Sequence, residues 1–133
     1  MQNAKLLFYK DDNSHNASLA VFDFPTLIGK MKSKNSWVKG DLDTMILLRS
    51  PAKQIVLVAI HEGTRITSFQ SGESITFQII EGKMNFHLRG ESVNLGKGQL
   101  LTIAEHQKYS MSADRETVLL LTITTSSVKL SEN

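Results

Sequence analysis

Four histidines, two tyrosines and no cysteine bound the chemistry open to this chain. Without a thiol there is no thiolate nucleophile, no Cys-based metal site and no disulfide framework. Serines are plentiful, but none stands in a Gly-x-Ser-x-Gly elbow, and no Ser-His-Asp order stands out. General acid–base work needs a donor within hydrogen-bond reach of a moving proton. The nearest approach to such a pair is Tyr109 assisted by His106. Of the other histidines, His15 lies in a polar stretch and His61 ends an apolar run beside Glu62. His87 alternates with Phe86 and Leu88, so it faces away from the apolar side of its strand. Each reads as an ordinary surface or hydrogen-bonded residue. The carboxylates Glu73, Glu81, Glu91, Glu105 and Glu116 all fall in expected loops or turns, as solvated charges.

The elements that position these residues are mostly strands. The chain has 133 residues, 41% apolar and 21% charged, which suits one globular domain with a single core. Its formal charge of +2 gives no strong field for nucleic acid. The four-residue apolar stretch near the N-terminus is too short for a signal peptide core. The longest apolar run, Ile55 to Ile60, is far below the roughly 20 residues that span a bilayer. A soluble, cytoplasmic protein without a membrane partner is expected.

Residues 1–43 read as an N-terminal arm and one short helix. Ala17 to Phe24 alternates like a short strand, and Asp23-Phe24-Pro25-Thr26 starts a helix with Pro in the first turn. Leu27, Ile28 and Met31 share one side, and Trp37 is placed to pin the helix end to the rest. Lys30, Lys32, Lys34 and Lys39 read as a solvated face. No aromatic residues are interleaved to stack bases, so nucleic acid is not an expected partner. Residues 44–125 form the core, with short strands and regularly spaced turns. Glu81-Gly82, between Ile75–Ile80 and Lys83–Arg89, is the strongest hairpin signal. Further turns fall at Arg89-Gly90 and Gly96-Lys97-Gly98. This rhythm predicts an all-β sandwich or barrel. Residues 126–133 are a polar tail, and residues 1–133 read as one domain.

The glycine spacing carries more. Gly63 and Gly82 fit the two ends of the pattern Gly, five residues, His-x-His, three or four residues, Glu, six residues, Gly. Gly98 starts a second pattern, Gly, five residues, Pro-x-Gly, two residues, His, three residues, Asn. Through these motifs residues 52–125 resemble the cupin superfamily of RmlC-like jelly-roll barrels. The resemblance implies an all-β, single-domain, cupin-like jelly-roll β-barrel with one short N-terminal helix. It also locates the positions that hold metal in such proteins. Phe69 and Ser71 stand at the His-x-His positions, or Ser68 and Gln70 with the longer spacing, and Ile75 stands at the Glu position. Tyr109 replaces the second motif's His, and Ala113 its Asn. Hydrocarbon and neutral hydroxyls replace imidazole and carboxylate there, so neither metal nor cofactor is expected.

If Ile75 points inward, Phe77 and Ile79 share its face, with Phe69, Met84 and Phe86 approaching from neighbouring strands. This lining permits a filled core. It also permits a small apolar pocket in which Tyr109, Ser71 and Gln70 orient a small-molecule ligand. The outward residues Thr76, Gln78 and Ile80, with the run Val118–Leu121, offer apolar surface beyond one interior. The resemblance implies a homodimer through such strands, and packing under the helix is the alternative. The expected role is a metal-free binding or regulatory module. The other reading is a divergent isomerase or epimerase using Tyr109 and His106.

Overall fold

The computed structural model describes residues 3–4, 19–67 and 73–125. Phe69, Gln70, Ser71, His15 and the polar tail lie outside these residues. The strands are β1 (Asn3–Ala4), β2 (Leu42–Arg49), β3 (Lys53–Ile60), β4 (Arg65–Thr67) and β5 (Glu73–Glu81). They continue with β6 (Lys83–Leu88), β7 (Glu91–Gly96), β8 (Leu100–Ile103), β9 (Ser110–Ala113) and β10 (Thr117–Thr125). Two five-stranded sheets result, ordered β1-β4-β9-β6-β7 and β2-β3-β10-β5-β8. All neighbours run antiparallel except β1 and β4.

Strand parity divides the apolar residues between two cores. Val56, Val58 and Ile60 of β3 and Leu119, Leu121 and Ile123 of β10 point between the sheets. They meet Phe77 and Ile79 of β5 and Met84 and Phe86 of β6. The alternate residues Leu57, Ala59 and Val118 face the other way, into a second apolar cluster with the helices. A strand buried on both faces reads as a continuous apolar run, which is why Gln54–Ile60 shows no alternation.

The turn at Glu81-Gly82 is not a hairpin. β5 pairs with β10 and β8, whereas β6 pairs with β7 and β9, so the chain crosses from one sheet to the other. Gly82 sits at φ 98°, and a β-carbon there would fall 2.4 Å from the Glu116 carbonyl oxygen and the Thr117 hydroxyl. Only glycine allows this corner to close against β10. The local hairpin lies at Arg89-Gly90, whose φ values of 53° and 79° match a primed turn between β6 and β7.

The single expected helix is two: α1 (Phe24–Lys32) and α2 (Asn35–Lys39). The break falls at Ser33, whose hydroxyl and N–H both donate to the Lys30 carbonyl, before Lys34 turns extended. The bend lets both Met31 and Trp37 reach β3 and β10. Of the short strand expected at Ala17–Phe24, the described residues 19–23 form none. Leu19 and Val21 are 85% and 93% exposed there, with no neighbouring strand to pair.

Lys30, Lys34 and Lys39 are exposed, as a solvated face requires, but Lys32 is not part of it. Its ammonium lies 2.7 Å from Glu116 and 3.4 Å from Glu81, tying α1 to the ends of β5 and β10. Burial pulls its pKa down, but the hydrogen bond to Glu116 and the charges of Glu81 and Glu116 outweigh that. The ammonium is therefore held above the ordinary lysine value. Glu81 and Glu116 thus differ from the solvated loop charges expected of them.

Candidate functional site

Five of the eight lining residues read from the sequence are described, and they converge. Phe77, Ile79, Phe86 and Tyr109 belong to one buried cluster between the sheets, with Ile75 packed at its edge. Phe77 and Phe86 meet edge to face with ring centroids 4.9 Å apart, and Phe77 and Tyr109 do so at 5.8 Å. Such pairs favour the offset charge distribution of the rings. Exposures of 0% for Phe77, 2% for Phe86 and 8% for Tyr109 leave little of this trio open to water.

Above the trio the lining turns polar at one point that the motifs did not reveal. Gln54 opens β3 on the same face as Val56 and pairs across β10 with Ile123, which in turn pairs with Ile75. Its side-chain carbonyl oxygen is buried without a hydrogen-bond partner. A buried acceptor left unmade costs about 1–3 kcal/mol. The signal was present in the alternation of Gln54, Val56, Val58 and Ile60, but the uninterrupted apolar run after Gln54 masked it.

The remaining titratable residues do not join this lining. His87 is exposed on the outer side of β6, as its parity requires. His61 stacks on Trp37 with ring centroids 3.5 Å apart, and its Nε2 lies 2.7 Å from the Trp37 carbonyl oxygen. A carbonyl only accepts, so that nitrogen carries the proton. His106 is exposed at φ 65°, whereas the Tyr109 ring is buried against Phe77.

Comparison with solved structures gives the architecture its name. The Cnp3 cupin domain of Schizosaccharomyces pombe superposes with a TM-score of 0.64 at 15% identity, covering 71% of this chain and 72% of that one. This chain has the cupin fold. An RmlC-like cupin from Shewanella frigidimarina matches at TM-score 0.61 and 15% identity, over 70% of this chain and 84% of its own. A conserved protein of unknown function from Streptococcus pyogenes matches at TM-score 0.62 and 13% identity, over 90% and 96%. No family model matches the sequence, and neither does any curated protein.

In a cupin fold the two motifs bring metal ligands to this end of the barrel, and the donor set here does not fit. Ile75 has no donor atom, and Tyr109 offers a phenol packed on Phe77. Residues 68–72 are Ser-Phe-Gln-Ser-Gly, without imidazole or carboxylate. Among the described residues no three His, Asp or Glu side chains converge. Divalent transition metals prefer imidazole and carboxylate ligands, so this lining suits an organic group better than an ion.

Proposed function

We propose that this chain is a metal-free cupin-fold module that binds a small molecule or regulates through it, and catalyses no reaction. The observation that carries the reading is the unpartnered Gln54 carbonyl oxygen, buried at the Ile75 end of the lining. A ligand that donates one hydrogen bond to Gln54 and lays an apolar body against Ile75 would complete that site. Tyr109, Phe77, Phe86 and Ile79 form its floor. Pockets of this kind pair a mostly apolar lining with few orienting polar groups. The absence of cysteine suits a cytoplasmic setting. The reading includes a homodimer through the outward faces of the strands.

Metal analysis of native protein, purified without a His tag, tests the central claim. Iron, manganese, nickel and zinc are expected well below one per chain, and chelation is expected to leave the thermal midpoint unchanged. A resident ion would stabilise the folded state by mass action, so a midpoint that falls with chelator would overturn the reading. Light scattering during size exclusion reports the dimer as twice the chain mass.

Gln54→Leu supplies a second check. Removing an unmade buried amide is expected to raise the unfolding free energy by about 1 kcal/mol in urea titrations. A loss of stability instead would show that the amide already serves the fold. A gain would mark Gln54 as a residue kept for binding at the expense of stability.

A further inference from the structure

The outer face of the sheet containing β4, β9 and β6 carries a groove of about 340 Å³, lined by Gly63, Arg65, His87, Ser110, Ser112 and Asp114. Strand register builds it. Arg65 stands opposite Ser112, which stands opposite Asn85, while Ser110 lies between Thr67 and His87. Ile66, Met111 and Phe86 take the inward positions of these strands. Their neighbours must therefore project outward together. Gly63, whose N–H donates to the Ala113 carbonyl at 2.8 Å, adds no side chain to the groove.

The charges in the groove are unspent. Among the described residues neither the Arg65 guanidinium nor the His87 imidazole has a hydrogen-bond or ion-pair partner. Asp114 lines the same groove and forms no ion pair with Arg65. A guanidinium matches carboxylate and phosphate oxygens in a bidentate manner, which makes it the side chain suited to oxyanions. The imidazole N–H and the serine hydroxyls supply shorter-reach donors beside it.

We propose that this groove binds an oxyanion, the carboxylate or phosphate group of a small polar molecule. Arg65 holds the anionic group, and His87, Ser110 and Ser112 orient it. The Asp114 carboxylate repels a second negative charge and accepts a hydrogen bond from a donor elsewhere on the ligand. The groove therefore favours a molecule with one anionic end over a polyanion. It lies across β6 and β9 from the barrel lining, and it stands whether or not the interior takes a ligand.

The test is an amide-shift titration of the isotope-labelled full chain with inorganic phosphate, with acetate, and with sodium chloride as the ionic-strength control. Saturable shifts at Gly63, Arg65, His87, Ser110 and Ser112 are expected for phosphate, acetate or both, with a Kd of about 1 mM or tighter. The anion that binds more tightly names the group. Arg65→Gln should weaken binding by about tenfold or more. Asp114→Asn should tighten it severalfold, because it removes a repelling charge without touching a donor. His87→Gln, also at an exposed position, should weaken it less than Arg65→Gln. Shifts that merely follow the chloride control would overturn the proposal. So would an affinity indifferent to Arg65→Gln, or shifts confined to Ile75, Phe77 and Tyr109. Metal content is measured separately from these titrations, so either reading can fail alone.

Discussion

Phe77→Ala is expected to lower the unfolding free energy by about 3–5 kcal/mol, read from urea or guanidinium titrations by linear extrapolation. Phe77 is fully buried and stands between Phe86 and Tyr109, which it meets edge to face. It pairs with Leu121 of β10 and Leu101 of β8, which belong to the same cluster. Removing it deletes the transfer energy of the ring and leaves a hole bounded by two sheets whose hydrogen-bonded strands cannot collapse inward. Phe77→Leu retains most of the volume and should cost well under half as much. The size of the loss also bears on the interior itself. A cost below about 1 kcal/mol would mean that water or spare volume already surrounds this ring, so that the barrel holds an open pocket rather than a packed floor.

The second large effect is expected outside the barrel. Trp37→Ala should cost about 3–5 kcal/mol, measured by far-ultraviolet circular dichroism because the chain has one tryptophan and loses its fluorescent reporter. Trp37 is buried in the cluster that joins both helices to β3 and β10. It is stacked on His61, accepts a hydrogen bond from that ring through its own carbonyl, and lies 5.9 Å from the Lys32 ammonium. Its removal takes the wedge from between α2 and the sheet and opens Leu57, Ala59 and Val118 to water. Contiguous apolar surface of that kind drives association, so the variant should also elute at a larger, concentration-dependent size. Trp37→Phe keeps an aromatic face toward His61 and should restore most of the stability. If Trp37→Ala is neither destabilised nor associating, the helices are a dispensable cover rather than half of a second core.

Much of the fold was legible because alternation is local. Met84, Phe86 and Leu88 announce which face of β6 is inward, and the structure puts His87 on the other. The start of α1 at Asp23-Phe24-Pro25 was legible for the same reason, since Pro fits only the first turn. Pairing was not legible. Gly82 carries the same hairpin signature as Gly90, yet one turns the chain back on itself and the other sends it into the opposite sheet. The difference is the backbone of Glu116 and Thr117 pressed against Gly82, more than thirty positions away along the chain. Lys32 is a similar case. Nothing beside it explains why it alone of the helix lysines is held, because Glu81 and Glu116 come from the ends of β5 and β10. The surplus of apolar residues on β3 and β10 was visible, but whether a helix or a second copy covers it depends on where the helix lands. In this chain α1 and α2 pack on Leu57, Ala59, Val118 and Leu120.

The sequence alone determined the strand class, the glycine spacing that places this chain among cupin folds, and the hydrocarbon standing where such folds place metal ligands. Those properties are written in residue type and in period-two alternation, which a strand expresses whatever its partners. Tertiary structure decided which strands are neighbours, how the aromatic floor closes, and that Gln54 is left with a buried oxygen and no donor. It also gathered Arg65, His87, Ser110 and Ser112 from three strands into one groove. Proximity between distant residues is set by sheet order and register, and these follow from how the whole set of apolar faces is buried at once.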